Sequence, residues 1–306
     1  MHTRAIGSLS VSVVGVGCNN FGSRLDEAGT REVVGAALDA GITLFDTADT
    51  YGGTQSEVLL GRALGARRDE AIVATKFGMP IDDERYGAHP DYVRRACEDS
   101  LRRLGTDRID LYQLHYPDES VPIAHTLAAL GELVAAGKVR EIGCSNLSAQ
   151  QLHDAASAAG AGPAFASVQN QYSLLAREPE RDGVLDACDE LGLGFLPFYP
   201  LANGLLTGKF RPGEPMPEGT RLSLMSPERS VHWLSDHFQN RVAALLDFAT
   251  DVGTPVLTLA VSWLLSHAAV RSVIAGASNA AQVRANALAP TPLDPAVVSR
   301  LDELTA

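Results

Sequence analysis

Cysteine is scarce in this chain. Four residues in 306, Cys18, Cys97, Cys144 and Cys188, stand far apart with no C-x-x-C pair among them. That spacing excludes a zinc ribbon or a thioredoxin-type redox pair, and isolated thiols in a chain of this size read as buried small residues of a reducing cytoplasm. Long apolar runs are also missing. None approaches the roughly eighteen residues of a membrane-spanning helix, so no membrane partner is expected. The N-terminal "MHTRAIGSLSVSVVGVG" lacks a charged stretch followed by an apolar core and a cleavage site, so no secretory leader is expected either. Positive charge is in deficit: 25 Lys and Arg against 37 Asp and Glu give a formal net charge of -12, which disfavours nucleic acid as a partner. These absences together predict a cytoplasmic location. Oligomeric state is not readable from them.

What the chain has is alternation. Short apolar runs rich in Ile, Val, Leu and Phe occur at 41–48, 70–78, 108–116, 138–146, 164–173, 193–201 and 270–278. Each reads as a strand covered on both faces. Helix-like segments lie between them. "HPDYVRRACEDSLRRLG" has Pro90 and Asp91 in its first turn, an apolar stripe of Val93, Cys97, Leu101 and Leu104, and Gly105 as its stop. Capping boxes are expected at Thr54/Glu57 and at Ser148/Gln151. Such β-then-α order predicts parallel strands joined by crossover helices, and the length suits a closed (β/α)8 TIM barrel in a single domain spanning residues 1–306. A doubly wound open sheet fits the same pattern. Seven strands are clear; the eighth is expected near Asn286 to Pro290. Residues 211–240, rich in Pro, Gly, Ser and Glu, are too long for an ordinary connection and are expected to form an active-site loop.

Four reactive side chains fall at or after strand ends. In "FDTADTYGGTQSE" Asp46 closes one strand and Tyr51 follows in the loop; Lys76 closes the next strand and His115 the one after. Each has an ordinary reading: a turn-capping aspartate, a packed phenol, a solvated lysine, a satisfied interior histidine. In a parallel barrel, however, all strand C-termini open on one face, so residues remote in sequence converge there. Together the four suit proton delivery to a carbonyl oxygen. A free tyrosine has a pKa of about 10. Lys76 beside it is expected to lower that value, Asp46 to keep the ammonium charged, and His115 to orient the substrate oxygen. No side chain supplies a hydride, so a cofactor must. A lysine at a strand end also admits a Schiff-base aldolase reading.

Other motifs fail. "GVGCNN" has Asn20 where a third glycine is required for a dinucleotide fingerprint, and "NGLLTGKF" opens on Asn203 and ends on Phe210, which breaks a phosphate loop. His232 and His237 have no third partner, so no metal is expected.

Along nearly its whole length the sequence resembles the aldo-keto reductases, through "FDTADTYG", "VATKFG", "LYQLHYPD", "IGCSN", "QNQYS", "PLANGLLTGK" and "IAGASNAAQVRAN", in that family's order. The resemblance implies a (β/α)8 barrel capped by an N-terminal β-hairpin, here "AIGSLSVSVVGVG". It implies NADPH (as NADP+ after oxidation), with NADH also accommodated, lying extended over the C-terminal face, and a small-molecule aldehyde or ketone as substrate. Carried over by position, Asp46, Tyr51, Lys76 and His115 form the catalytic set. Ser145, Asn146 and Gln169 match the nicotinamide-amide contacts. Phe198 stands where the family stacks an aromatic ring, and Tyr199 replaces a common serine. Pro200, Leu201, Asn203, Lys209 and Arg221 match the pyrophosphate region. Gly276, Ser278, Gln282 and Asn286 match the adenosine end, and Cys18, Asn19 and Asp46 complete the cofactor set. Many relatives carry Arg or Lys at the place of Ser278. A serine there also resembles the potassium-channel β-subunit branch, which implies a cofactor-sensing protein with little turnover as an alternative. The loop at 79–90 and the 211–240 segment are expected to shape the substrate pocket, with Tyr86, Trp233 and Trp263 as candidate lining aromatics.

Overall fold

The computed structural model describes residues 1–306, the side chain of Arg229 excepted. An antiparallel hairpin opens the chain, β1 (Thr3–Ile6) against β2 (Leu9–Ser12). Eight parallel strands follow: β3 (Val14–Gly17), β4 (Leu44–Asp46), β5 (Ile72–Phe77), β6 (Ile109–Leu114), β7 (Val139–Ser145), β8 (Ser167–Gln171), β9 (Gly194–Phe198) and β10 (Val273–Gly276). They pair in the order β10-β3-β4-β5-β6-β7-β8-β9, and a parallel bridge between Phe195 and Val270 brings the two ends of the sheet together. Helices cover the outside, and among the described residues no single helix is long and apolar enough to cross a membrane.

The barrel differs from the sequence expectation in one strand. The region near Asn286 to Pro290 is not the eighth strand, because Ala280–Leu288 is helical. The missing strand is β3 (Val14–Gly17), which the family resemblance had placed in the hairpin. Its signal is weak for a physical reason. Two of its four residues are glycines: a Cβ on Gly15 would lie 3.1 Å from Leu44 Cδ2 and 3.2 Å from Ser272 Oγ, and one on Gly17 3.3 Å from Ile274. Neighbouring strands supply the bulk there, so β3 carries little apolar signature of its own.

Two helix starts contrast. At Ser148 the capping box forms: its hydroxyl accepts from the Gln151 amide at 3.2 Å, and Gln151 Oε1 accepts from the Ser148 amide at 3.0 Å. At Thr54 it does not form. Thr54 has φ +75° and no side-chain cap bond, while Glu57 turns inward, accepting from Thr75 Oγ1 and pairing with Arg103. Pro90–Leu104 is the expected helix, stopped by Gly105 at φ +63°. The 211–240 segment contains the short helix Pro227–Ser230 and the start of Asp236–Asp251.

Inside the barrel, polarity changes along each strand. Ile6, Leu9 and Val11 of the hairpin plug the N-terminal end against Leu44, Ala74, Leu111, Leu196 and Ile274. Two residues further on, facing the same interior, Leu44 gives way to Asp46, Ala74 to Lys76 and Leu111 to Gln113, all buried. The polar layer therefore lies at the strand C-termini.

Candidate active site

Asp46 and Lys76 meet in that layer, 3% and 1% exposed, with Lys76 Nζ 2.6 Å from Asp46 Oδ2. Lys76 also donates to the Thr47 carbonyl at 2.9 Å. The other carboxylate oxygen, Oδ1, accepts from Gln169 Nε2 at 2.9 Å and from Gln113 Nε2 at 3.2 Å. A buried ion pair is tolerable only when its remaining lone pairs are satisfied, and the two glutamines meet that condition.

Tyr51 sits above the lysine. It follows the tight turn that leaves β4, its amide donating to Ala48 at 3.2 Å. Gly52 continues that turn at φ +58°, where a Cβ would come within 2.4 Å of the Phe21 carbonyl. Only glycine fits both demands, so the phenol's approach angle is set by backbone. Lys76 Nζ lies 5.1 Å from the centroid of the Tyr51 ring. Burial pushes the Tyr51 pKa up, the lysine pulls it back, and the net direction is upward. The expectation that Lys76 would leave the phenol more acidic than a free tyrosine is thus corrected: desolvation outweighs the ammonium. For Lys76, burial pulls the pKa down, Asp46 and Tyr51 raise it, and the ammonium ends above its ordinary value. At neutral pH the pair is a charged lysine beneath a protonated phenol.

His115 follows β6, its ring 5.9 Å from that of Tyr51 in an edge-on arrangement and 5.5 Å from that of Tyr116. Burial, then the Lys76 charge, lowers its pKa to about 3. The imidazole is neutral across the physiological range, and its buried Nδ1 has no hydrogen-bond partner.

These groups border a cleft of about 770 Å³ that runs across the C-terminal mouth. Beside Tyr51 and His115 its wall is formed by Asn19, Ser145, Asn146, Gln169, Phe198 and Met79. Asn146 Nδ2 is spent on the His115 carbonyl and Ser145 Oγ, and Gln169 Nε2 on Asp46 and Gln113. Each amide therefore offers a ligand its carbonyl oxygen, an acceptor. The middle holds Tyr199, Pro200, Leu201, Asn203, Lys209 and Arg221, and the far end Gly276, Ser278, Gln282 and Asn286. Four of the five non-glycine residues with positive φ, Asn146, Tyr199, Ala202 and Asn203, belong to these wall segments. Backbone strain of this kind persists where surrounding structure enforces it, typically at ligand sites.

Some expectations do not hold. Cys18 is fully buried below the wall, its thiol directed to the Val16 carbonyl, and does not border the cleft. Lys76 lies beneath the floor and reaches the cleft only through Tyr51. Tyr86 is 55% exposed, Trp263 is buried in the core, and Trp233 packs on Phe238, so none of the three lines the cleft. The aromatics that border the cleft beside Tyr51 and His115 are instead Tyr116 and Phe198. The sequence reading missed Gln113, Tyr116, Asn20 and Arg24. Asn20 and Arg24 occupy the loop leaving β3, and placing that strand was the signal that would have put them at the mouth.

Charge at the cleft is also informative. Arg24, Lys209 and Arg221 border it, and among the described residues none of the three forms a salt bridge. In a chain with excess acid, three unpaired cations along one groove suit an extended, multiply anionic ligand.

Comparison with known proteins agrees with this geometry. The family model described as "Aldo/keto reductase family" matches residues 13–306. The chain is 40% identical over 207 residues to "Probable aldo-keto reductase 1" of Glycine max, a match covering 65% of this chain and 58% of that protein. It is 35% identical over 287 residues to "Aldo-keto reductase YhdN" of Bacillus subtilis (strain 168), covering 90% of this chain and 84% of the relative. The solved structure of "aldo-keto reductase AKR11C1 from Bacillus halodurans (holo form)" superposes with a TM-score of 0.82 at 32% identity, over all of this chain and 97% of the other.

Proposed function

The chain belongs to the aldo/keto reductase family, and from that premise we propose that it reduces aldehydes or ketones to alcohols with NADPH, Tyr51 acting as the general acid. The observation that carries this reading is the convergence of Tyr51, Lys76, Asp46 and His115 at one end of a long cleft whose other end is cationic. The cleft's free groups suit a nicotinamide dinucleotide: amide acceptors at Asn146 and Gln169 for a carboxamide NH₂, the Phe198 ring for stacking, and three cations for phosphates. Reduced nicotinamide, when bound, supplies the hydride from its C4 position.

The protein's own part is the proton. Tyr51 is held protonated by burial, so its hydroxyl can donate to the oxygen that becomes an alkoxide as the carbonyl is reduced. The phenolate left behind faces the Lys76 ammonium, which offsets the new negative charge in a low-dielectric setting. Asp46 keeps that ammonium charged, and Gln113 and Gln169 hold Asp46 in place. His115, neutral at working pH, serves as a hydrogen-bond partner to the substrate oxygen rather than as an acid. Proton transfer of this kind is worth roughly 10²–10⁴-fold. A Schiff-base role for Lys76 would require a free amine at the surface of the cleft; the residue is buried and engaged by Asp46, Thr47 and Tyr51.

The test is a panel of aliphatic and aromatic aldehydes and ketones with NADPH, followed at the nicotinamide absorbance. Multiple turnovers on a carbonyl substrate support the reading. Tight NADPH retention without turnover on any member would favour cofactor sensing instead, and absence of NADPH binding would sink both.

A further inference from the structure

At the far end of the cleft the loop from β10 is neutral: Ser278, Asn279, Gln282 and Asn286 form the wall. The nearest cation comes from another strand. Residues 20–25 form a compact turn after β3, in which the amides of Arg24 and Leu25 both donate to the Asn20 carbonyl at 2.9 Å. The Asn20 side chain fastens this turn to the β10 loop, with Nδ2 3.2 Å from the Ala277 carbonyl and 3.5 Å from Ser278 Oγ. The turn that carries Arg24 is therefore held to the β10 loop through the Asn20 side chain, independently of the Arg24 side chain. On its other flank Arg24 Nη2 donates to the Arg221 carbonyl at 3.5 Å. The Arg221 guanidinium is itself fixed, donating to Tyr199 OH at 2.9 Å and lying 4.7 Å from the centre of that ring.

Both arginines border the cleft, Arg24 reaching the Arg221 backbone, and neither meets a carboxylate among the described residues. Partial burial and then the Arg221 charge lower the pKa of Arg24, the direction expected of like charges lacking an intervening anion. Elsewhere in the molecule Arg67, Arg94, Arg103 and Arg177 each have a carboxylate partner at 3.0 Å or less. Two arginines without carboxylate partners on one stretch of cleft wall suit a compact dianion. A phosphate monoester carries about −1.5 to −2 charges at neutral pH and accepts several charge-assisted hydrogen bonds.

The geometry points to Arg24 as the residue that makes this cleft prefer a dinucleotide with an added phosphate on the adenosine ribose, with Arg221 as its partner and Ser278 as a neutral hydroxyl contact. The inference rests on the dinucleotide reading above and deepens it. Charge for the added phosphate is supplied across the groove, from the β3 loop, rather than from the β10 loop that carries the adenosine end.

Equilibrium titrations of the parent, Arg24→Gln and Arg24→Lys with NADPH, NADH, 2′,5′-ADP and 5′-AMP test this. Arg24→Gln is expected to weaken NADPH and 2′,5′-ADP tenfold or more while leaving NADH and 5′-AMP within about twofold, with part of the loss restored in Arg24→Lys. The salt dependence of NADPH binding should also become shallower in Arg24→Gln. Equal weakening of NADPH and NADH would move Arg24 to the shared pyrophosphate, and unchanged affinities would leave it with no ligand; either result overturns the proposal while the reductase reading stands. Failure of the parent to bind either dinucleotide would overturn that reading and this inference together.

Discussion

The two ends of the barrel are made from the same strands and solve opposite problems. At the N-terminal end Leu44, Ala74, Leu111, Leu196 and Ile274 close on the hairpin's Ile6, Leu9 and Val11, and the interior is hydrocarbon. Two residues further along, Asp46, Lys76 and Gln113, joined by Gln169 of β8, fill the same interior with charge and amide. Burying apolar surface stabilises the fold without directing it to any chemistry, at roughly 25 cal/mol per Å². Burying an ion pair contributes little to stability, yet breaking one leaves an uncompensated charge. The apolar end accordingly holds the barrel shut, and the polar end is kept for what it can do to a ligand.

Variants can break that contrast. The largest stability effect is expected at the polar end from Lys76→Met, which strands the Asp46 carboxylate: a loss of about 3–5 kcal/mol in unfolding free energy, read by denaturant titration. Removing both charges, Asp46→Asn with Lys76→Met, should recover much of this stability while turnover stays lost. If the double variant were as unstable as the single one, the ion pair would not be the unit that matters.

Leu111→Ala should cost about 2–5 kcal/mol by opening a cavity in the plug. Its distinguishing feature is what it spares: dinucleotide affinity should stay within twofold of the parent. A large loss of affinity would mean the two ends are coupled.

A smaller, pH-dependent effect is expected just below the mouth. Asp49 is fully buried, neither of its carboxylate oxygens has a hydrogen-bond partner, and burial, followed by the Glu57 charge, raises its pKa from 3.8 to about 7. The folded state then holds a proton that the unfolded state has released. This contribution favours the fold at low pH and is lost as pH rises from about 4 through 7. Asp49→Asn should therefore raise the unfolding free energy at pH 8, by about 1–3 kcal/mol, with an advantage that shrinks toward pH 5. An advantage independent of pH would show that Asp49 is not titrating in the fold.

The same contrast explains what could be read from sequence. Strands such as β5 and β6, buried on both faces, announce themselves as continuous apolar runs, and their polar ends exposed the positions of Lys76 and His115. β3 was hidden because Gly15 and Gly17 make room for Leu44 and Ile274 instead of contributing bulk. Losing that strand hid its loop, and with it Arg24. The Thr54/Glu57 pattern looked like a cap because sequence spacing cannot reveal that Glu57 faces Arg103 and Thr75 across the barrel wall. The direction of the Tyr51 shift was equally out of reach, since it is decided by how much burial opposes the lysine. Motif spacing singled out Tyr51 as the proposed acid; only packing showed that burial favours its protonated form.

Transient kinetics on Tyr51→Phe tests the central claim most directly. The variant keeps the ring and its packing against His115 and removes only the hydroxyl proposed to donate the proton. NADPH affinity should remain within about threefold of the parent, while single-turnover reduction of an aromatic aldehyde should slow by roughly 10²–10⁴-fold. Reduction that persists within tenfold of the parent rate would contradict the account, because the proton would then be coming from another group.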